Sequence, residues 1–399
     1  MISVGIDISK GKSTVCILKP YGEVVAKPFE IRHTAHDLEA LAAMLQKLND
    51  EVKVVMEATG VYHLPVLTCL KDHNIFVAVI NPYAMKQYCS QGLRRVKTDK
   101  SDSISISRYG IEHWDSMQEY QVPKGKYEKL RQSSQQYRCY MQIHVMDLQN
   151  LLHLLDSSMP GISDILEGWD KTSGRNKLAD FADEYWHYAN ITGKTEKQFT
   201  SSYLKWAKRK GYRPSQDKAA TIYSMAKDGI PTVSADQTEE MFVHEAVGML
   251  KRVDATLFTI LTRMQEIAKT LPEYSTVRSM GGVGDTLAPR LIADIGDVRR
   301  FHSSKALIAY AGIDAPPYQS GQFVGTQRKI SKRGSPGLRK TGYEVMCVLK
   351  MHKEPEDNAV YRFILKKEAE GKAKKVAKMA GMNKFLRIYY ARVMEIYAQ

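Results

Sequence analysis

The sequence is short of cysteine, and the few cysteines it has are poorly placed for cross-linking. Its five cysteines are odd in number, scattered and never arranged as C-x-x-C, which excludes a regular disulfide framework and a four-cysteine zinc site. Cys69 and His73 have a spacing that metal ligands use, but no second pair completes a site. We interpret the cysteines as reduced thiols of a cytoplasmic protein.

Long apolar runs and recognisable base-reading motifs are also missing. No stretch of about eighteen apolar residues occurs, and no charged segment leads into a short apolar core at the start of the chain, so we expect neither a membrane span nor an export signal. No helix-turn-helix, zinc finger, internal repeat or low-complexity tract is evident. We therefore do not expect the protein to recognise a base sequence through one of these motifs.

Acidic residues are outnumbered. The 399 residues contain 58 Lys and Arg against 44 Asp and Glu, a formal net charge of +14, which makes a polyanion the leading partner. From position 322 to the end there are eighteen basic and seven acidic residues. Most of the excess positive charge therefore lies in the last fifth of the chain. We expect a cytoplasmic protein that associates with the nucleoid.

The first hundred residues alternate between β-branched runs and amphipathic stretches. Short strands are predicted at 2–7, 13–18, 23–31, 52–56 and 75–80, with helices after Thr34, over 62–73 and after Pro82. The order β-β-β-α-β-α-β-α predicts a mixed sheet flanked by helices, which is the order of the ribonuclease H-like fold. We assign residues 1–120 to this domain.

The rest of the chain is expected to be mostly helical. Apolar residues at helical spacing over 127–157 and 242–271 predict two long helices that pair antiparallel, either within one subunit or as a dimer seam. They fall in a region of 121–272 that contains an insertion at about 160–235. A smaller domain of helices and loops follows over 273–350, and the lysine-rich segment 351–399 is predicted to be a basic helix with a flexible arm.

Four acids stand where such a sheet could gather them. Asp7 ends the first predicted strand, Glu57 ends the fourth, and Asp99 and Asp102 begin a helix in KTDKSD. Residues three apart on a helix share a face, and oxygen ligands suit Mg²⁺, or Mn²⁺, in phosphoryl transfer. Each acid taken singly is as readily a turn or capping residue, so their joint order on this topology carries the metal-site prediction.

Candidate phosphate contacts lie in the second half of the chain. The turn Gly282-Val283-Gly284 precedes an apolar helix and could expose backbone N–H groups to a phosphate, although it could equally be a tight turn between helices. Basic side chains follow the PPYQSGQ loop and could contact the DNA backbone or form a solvated face; they are Arg328, Lys329, Lys332 and Arg333.

Two sets of motifs in order resemble one family. GIDISK, VMEATGVYH and KTDKSD near the start, with MGGVGDTLA, AYAGIDAPPYQSG and KISKRGSPGLRK later, are similar to the DEDD transposases of insertion sequences. That family includes pilin-gene invertases and bridge-RNA-guided recombinases. The likeness covers most of the chain outside the 160–235 insertion and the basic tail.

The resemblance implies a catalytic arrangement that the residues alone do not. It places the DEDD acids at Asp7, Glu57, Asp99 and Asp102 and a nucleophilic serine at Ser320, which would attack a DNA phosphate and form a phosphoserine. It further implies double-stranded DNA, namely element ends and target, and a structured guide RNA as partners, with a homodimer or homotetramer as the working assembly. Acids and serine are far apart in the chain and could meet within or between subunits.

Three other functions fit parts of the sequence. A sugar kinase or ATPase of the actin-like superfamily also starts with a β-hairpin bearing Asp and Gly, but a second phosphate loop is missing. A metal-dependent junction nuclease would use the acids without a covalent serine step. A non-catalytic nucleic-acid-binding protein would need neither the acids nor the serine.

Overall fold

The structure, a computed structural model, describes residues 1–90, 98–120, 125–315, 329–352 and 358–398, and the backbone of 319–320 and 323–324. The chain divides into two compact units, residues 1–122 and 123–399. Among the described residues, none of the helices combines the length and apolarity needed to cross a membrane.

The first unit contains a five-stranded mixed sheet. Its strands are β1 (Ile2–Ser9), β2 (Lys12–Leu18), β3 (Val24–Arg32), β4 (Val52–Glu57) and β5 (Phe76–Ile80). Its helices are α1 (Ala35–Gln46), α2 (Leu64–Asp72), α3 (Pro82–Cys89) and α4 (Asp99–Glu112). The strand order is β3-β2-β1-β4-β5, with β1 antiparallel to β2 and parallel to β4. This is the ribonuclease H-like topology, and the predicted fold is confirmed.

Residues alternate between the two faces of the sheet, as a strand period of two requires. Even-numbered residues of β1, such as Val4 and Ile6, are fully buried in a core with α1 and α2. On the other face, Val55 of β4 packs with Ile106 of α4 and Met85 of α3. The sheet therefore separates an α1/α2 layer from an α3/α4 layer, and odd-numbered side chains of β1 lie on the α4 side.

The second unit is built on two long helices. Its helices are α5 (Lys126–Ser158), α6 (Lys177–Tyr185), α7 (Ala189–Thr192), α8 (Glu196–Arg209), α9 (Gln216–Asp228), α10 (Gln237–Lys269), α11 (Tyr274–Arg278), α12 (Leu287–Ile295), α13 (Ser304–Ala311), α14 (Pro336–Met351), α15 (Ala359–Ala369) and α16 (Lys374–Ala398). Its short strand pairs are β6 (Trp169–Asp170) with β7 (Arg175–Asn176), and β8 (Gln319–Ser320) with β9 (Phe323–Val324).

The long helices α5 and α10 pair antiparallel, as predicted, and of the two arrangements left open the structure has the pairing within one chain. The ammonium of Lys126, at the start of α5, donates to the carbonyl of Thr270 at the end of α10. Near their middles, His144 Nδ1 and Asp254 Oδ1 are 2.6 Å apart and buried. The insertion packs as its own helical core against one end of this pair, and the C-terminal helices pack against the other end.

The expectation of a flexible arm at the end of the chain is wrong for the described residues. Helix α16 is continuous to Ala398, and Phe385, Leu386, Tyr389 and Val393 are buried in the core shared with α13 and α14. The many lysines of this segment concealed a helical apolar face, because charge counts do not record which face of a helix each charge occupies.

Candidate active site

Two of the predicted acids lie where the parallel pairing of two neighbouring strands, β1 and β4, comes to its end. The pairing of β1 with β4 runs to Ile6 beside Met56, so the next step of the same register puts Asp7 beside Glu57. Both residues have odd numbers on strands whose odd side chains face α4, and both are partly buried. The sequence pattern placed the end of β1 at Asp7, but β1 continues to Ser9 because its pairing with β2 extends to Lys12.

The other two acids occupy the first turn of α4. Thr98 caps this helix, its hydroxyl accepting from the Ser101 N–H while the Ser101 hydroxyl accepts from the Thr98 N–H. This capping box fixes where the helix begins. Asp99 and Asp102 lie three residues apart in this first turn and so share one face of the helix.

Helix α4 points its first turn toward the end of β1 that carries Asp7. The Ser107 hydroxyl donates to the Ser3 carbonyl at 2.8 Å, while Gly5 lies against Ser103. Moving forward along β1 thus means moving backward along α4, toward its start. All four acids consequently gather near one edge of the sheet.

Two neighbouring side chains provide an electrostatic check on this placement. Burial raises the pKa of the Cys89 thiol, and the nearby charges of Asp102 and Glu57 raise it further. The hydrogen bond to Glu30 raises the pKa of Lys12, with a smaller contribution from Asp99. An acid from α4 and one from β4 therefore lie near the same thiol. The four carboxylates are not within ligand distance of a single point, because within the described ranges three ligand groups lie within 4.8 Å of one another only at Glu39, Cys69 and His73.

The close approach of α4 to β1 depends on a glycine. A Cβ atom at Gly5 would lie 2.3 Å from both the Ser103 carbonyl oxygen and the Ser107 nitrogen, and backbone atoms cannot move aside as a flexible side chain can. Gly110, further along α4, lies as closely over Ser3 and Val55. Small residues thus let the helix sit directly on the strand and set the height of Asp99 and Asp102 over the sheet.

We expect Gly5→Ala to lower the free energy of unfolding of the first unit by about 1–3 kcal/mol, the usual range for overpacking, and to reduce activity by displacing Asp99 and Asp102. The matched control is Gly248→Ala in α10, where an added Cβ meets open space and helix propensity favours alanine. Chemical denaturation of both variants measures the difference. Equal stability of wild type and Gly5→Ala would contradict the tight helix-strand contact.

Ser320 is the last residue of β8, where its backbone pairs with Phe323 of β9. Its side chain, like the whole of Arg328, lies outside the described residues. The structure therefore defines a short pair of antiparallel strands at the predicted serine, and the role of its hydroxyl stays a prediction.

In the segment that follows this strand pair, backbone hydrogen bonds fix the loop while the basic side chains remain exposed. Backbone N–H groups of Ser331, Lys332 and Ser335 donate to the carbonyls of Asp314, Gly312 and Tyr310 at 2.8, 2.9 and 2.6 Å. The side chains of Lys329, Lys332 and Arg333 are exposed. These basic residues are thus presented to solvent from a loop whose backbone is anchored to the end of α13.

The predicted glycine turn has a packing role. Gly282 is buried with φ of +75°, and a Cβ there would lie 2.7 Å from the Val345 carbonyl oxygen of α14. Gly284 is exposed, and its carbonyl accepts from Leu287 and Ala288 at the start of α12. Contact of either glycine with phosphate remains a prediction, while close helix packing explains Gly282 by itself.

Comparison with known proteins finds two matches to family sequence profiles. A profile described as "Transposase" matches residues 4–160, and one described as "Transposase IS116/IS110/IS902 family" matches residues 274–362. The first match contains all four acids, and the second contains Ser320 and the anchored basic loop.

Individual relatives agree with the profiles. A pilin gene-inverting protein of Moraxella bovis is 22% identical over 345 residues, 86% of this chain and 80% of that protein. The transposase for insertion sequence element IS1111A of Coxiella burnetii is 34% identical over 112 residues, 24% of this chain and 30% of that protein. Among solved structures, Thermus thermophilus RuvC aligns with 30% of this chain and 100% of its own, at 12% identity and a TM-score of 0.24.

Proposed function

This chain belongs to the IS116/IS110/IS902 family of transposases, and from that premise we propose that it is the recombinase of an insertion sequence, cutting and rejoining double-stranded DNA through a covalent phosphoserine. The observation that carries the proposal is the convergence of Asp7, Glu57, Asp99 and Asp102 at one edge of a ribonuclease H-like sheet. A nuclease-type site of this kind suits phosphoryl transfer.

The four carboxylates fit a divalent cation such as Mg²⁺ or Mn²⁺. Their donor set consists of hard oxygens alone, which such ions prefer, and a bound cation would reduce the repulsion between neighbouring carboxylates. A cation bound there would supply positive charge to the phosphate oxygens during strand cleavage. The role of the four acids would be to bind that cation at a defined position near the end of β1.

Ser320 is proposed to attack the phosphorus of the DNA phosphodiester. A bond forms between its Oγ and phosphorus, the bond between phosphorus and one deoxyribose oxygen breaks, the serine proton passes to a base, and the released DNA end takes up a proton. The reaction replaces one phosphodiester with another of similar energy. A second DNA hydroxyl can therefore reverse the step on a new partner, so strands are resealed without ATP.

The anchored basic loop supports binding of DNA backbone. Lys329, Lys332 and Arg333 are exposed on a rigid backbone, and cations held in this way bind phosphates irrespective of base sequence. Base choice then needs another source. We propose that a structured RNA pairs with element ends and target while the protein reads nucleic-acid shape, and that a homodimer or homotetramer assembles on it.

A recombination assay tests this function. Purified protein, Mg²⁺, co-expressed element RNA and DNA carrying the element ends are expected to yield joined donor and target strands, and sequencing of the RNA that co-purifies is expected to recover an element-encoded species. Cleavage without joined products would instead favour a junction nuclease. Joining with no RNA present would remove the guide from the proposal and leave the recombinase.

A further inference from the structure

A second group of ligand side chains lies in the α1/α2 layer of the first unit, across the sheet from the α4 layer. Glu39 of α1, Cys69 of α2 and His73 at the end of α2 each offer one ligand atom, and these atoms all lie within 4.8 Å of one another. The four acids lie on the α4 side of the sheet. The group is therefore distinct from the proposed active site.

The imidazole of His73 is oriented as a metal ligand would be. Its Nδ1 is 2.9 Å from the Cys69 carbonyl oxygen, and because a carbonyl only accepts, Nδ1 carries the hydrogen and donates. In the neutral ring Nε2 then presents its lone pair, and this atom lies 2.9 Å from Glu39 Oε2. Two electron-rich atoms at that distance need a positive charge between them, which a proton or a metal ion supplies.

The scaffold around these side chains is defined by hydrogen bonds. The Gln46 side-chain amide of α1 donates to the His73 carbonyl at 3.2 Å, which ties the end of α1 to the end of α2. Cys69 and His73 are four residues apart and so share one face of their helical turn. Glu39 approaches from the neighbouring helix, with its Oε1 4.0 Å from the Cys69 sulfur.

The distances fit a tetrahedral ion after small side-chain movements. Bond lengths of about 2.0 Å to N and O and about 2.3 Å to S give tetrahedral edges of about 3.3–3.6 Å. The Nε2-to-Oε2 separation of 2.9 Å lies just below those edges, and one ligand atom of each of the three residues lies within 4.8 Å of the other two. The Glu39 side chain is 60% exposed and that of His73 29%, so an ion can enter from solvent.

We propose that Glu39, Cys69 and His73 form a zinc site that joins α1 to α2, with the fourth position open to solvent. Thiolate and imidazole ligands select Zn²⁺ over the hard Mg²⁺ ion. The site would stabilise the α1/α2 layer, which packs on the face of the sheet opposite α4. It is chemically separate from the all-oxygen donor set of the four acids.

The test uses the full-length protein after removal of metals with a chelator. Titration with Zn²⁺ is expected to show one tight site per chain, and Co²⁺ in place of Zn²⁺ is expected to give a thiolate-to-cobalt absorption band. Cys69→Ser should abolish the band, and Cys69→Ser and His73→Gln should each weaken Zn²⁺ binding by more than the about 10–100-fold that loss of an outer-shell partner costs.

Two matched controls separate this site from other thiols and acids. Cys89→Ser removes the cysteine near Glu57 and Asp102, and Cys139→Ser removes an exposed cysteine of α5; both should keep the band. Zn²⁺ should raise the melting temperature of wild type and not that of Cys69→Ser, whose metal-free melting temperature should match wild type. A band lost in Cys89→Ser, or equal Zn²⁺ affinity in wild type and Cys69→Ser, overturns the proposal and leaves an imidazolium–carboxylate ion pair.

Discussion

Asp7→Asn is expected to lower DNA strand cleavage by at least about 100-fold, since we propose Asp7 as a charged metal ligand and the loss of such a ligand removes several kcal/mol of transition-state stabilisation. Asparagine has the same shape but no negative charge, so it holds a cation weakly beside Glu57. Asp102→Asn should have a comparable effect from α4. Cleavage of labelled element-end DNA in Mg²⁺, measured as an initial rate, checks both variants.

Stability separates a lost ligand from a lost fold. Asparagine keeps the size and shape of the Asp7 side chain and removes one of several neighbouring like charges, so Asp7→Asn should melt close to the wild-type temperature. Asp115→Asn is the control, because Asp115 is an exposed acid of the same unit beyond the end of α4, and it should cleave normally. Wild-type cleavage by Asp7→Asn would exclude this sheet edge as the metal site.

Ser320→Ala is expected to abolish the covalent protein–DNA adduct and to reduce strand joining by at least about 1,000-fold, as expected for loss of a nucleophile. The reaction is quenched in denaturant, and the adduct is detected as labelled DNA that migrates with protein and maps to a peptide containing Ser320. In wild type, the adduct should form only with Mg²⁺ or Mn²⁺ present.

A control serine and the nuclease alternative each give a result that differs from the one expected for Ser320→Ala. Ser234→Ala changes an exposed loop serine of the same unit and should retain adduct and joining. If Ser320→Ala cleaved DNA normally while Asp102→Ala did not, hydrolysis by the acids alone would explain the activity, and the chain would act as a metal-dependent nuclease. An adduct on any other residue would relocate the nucleophile.

The strands of the first unit were predictable because their signals are local. The apolar alternation of β1 and the short glycine-containing turn before β2 predict a hairpin. The helix predicted after Thr34 does begin there, and the Thr34 hydroxyl caps it by accepting from the Asp37 N–H. The antiparallel pairing of α5 with α10 followed from apolar residues at helical spacing. In each case the residues that form the predictive pattern are close neighbours along the chain.

Features that depend on distant segments were not predictable. The lysines of α16 suggested an arm, while its burial depends on α13 and α14 presenting a matching apolar surface. Gly282 could be assigned either to phosphate binding or to helix packing, and the nearness of Val345 of α14 supplies the packing explanation. Periodicity identifies an apolar face but not what covers it.

Local spacing was enough to predict the order of the strands along the chain, the positions of Asp7 and Glu57 in the last part of their strands, and the shared helical turn of Asp99 and Asp102. Tertiary packing was needed to show that α4 lies directly on β1 at Gly5, and that Glu39 of α1 approaches Cys69 and His73, a pair without a completing ligand in the sequence pattern. Both depend on close packing between segments that are distant in the chain, and such packing leaves no local periodic pattern.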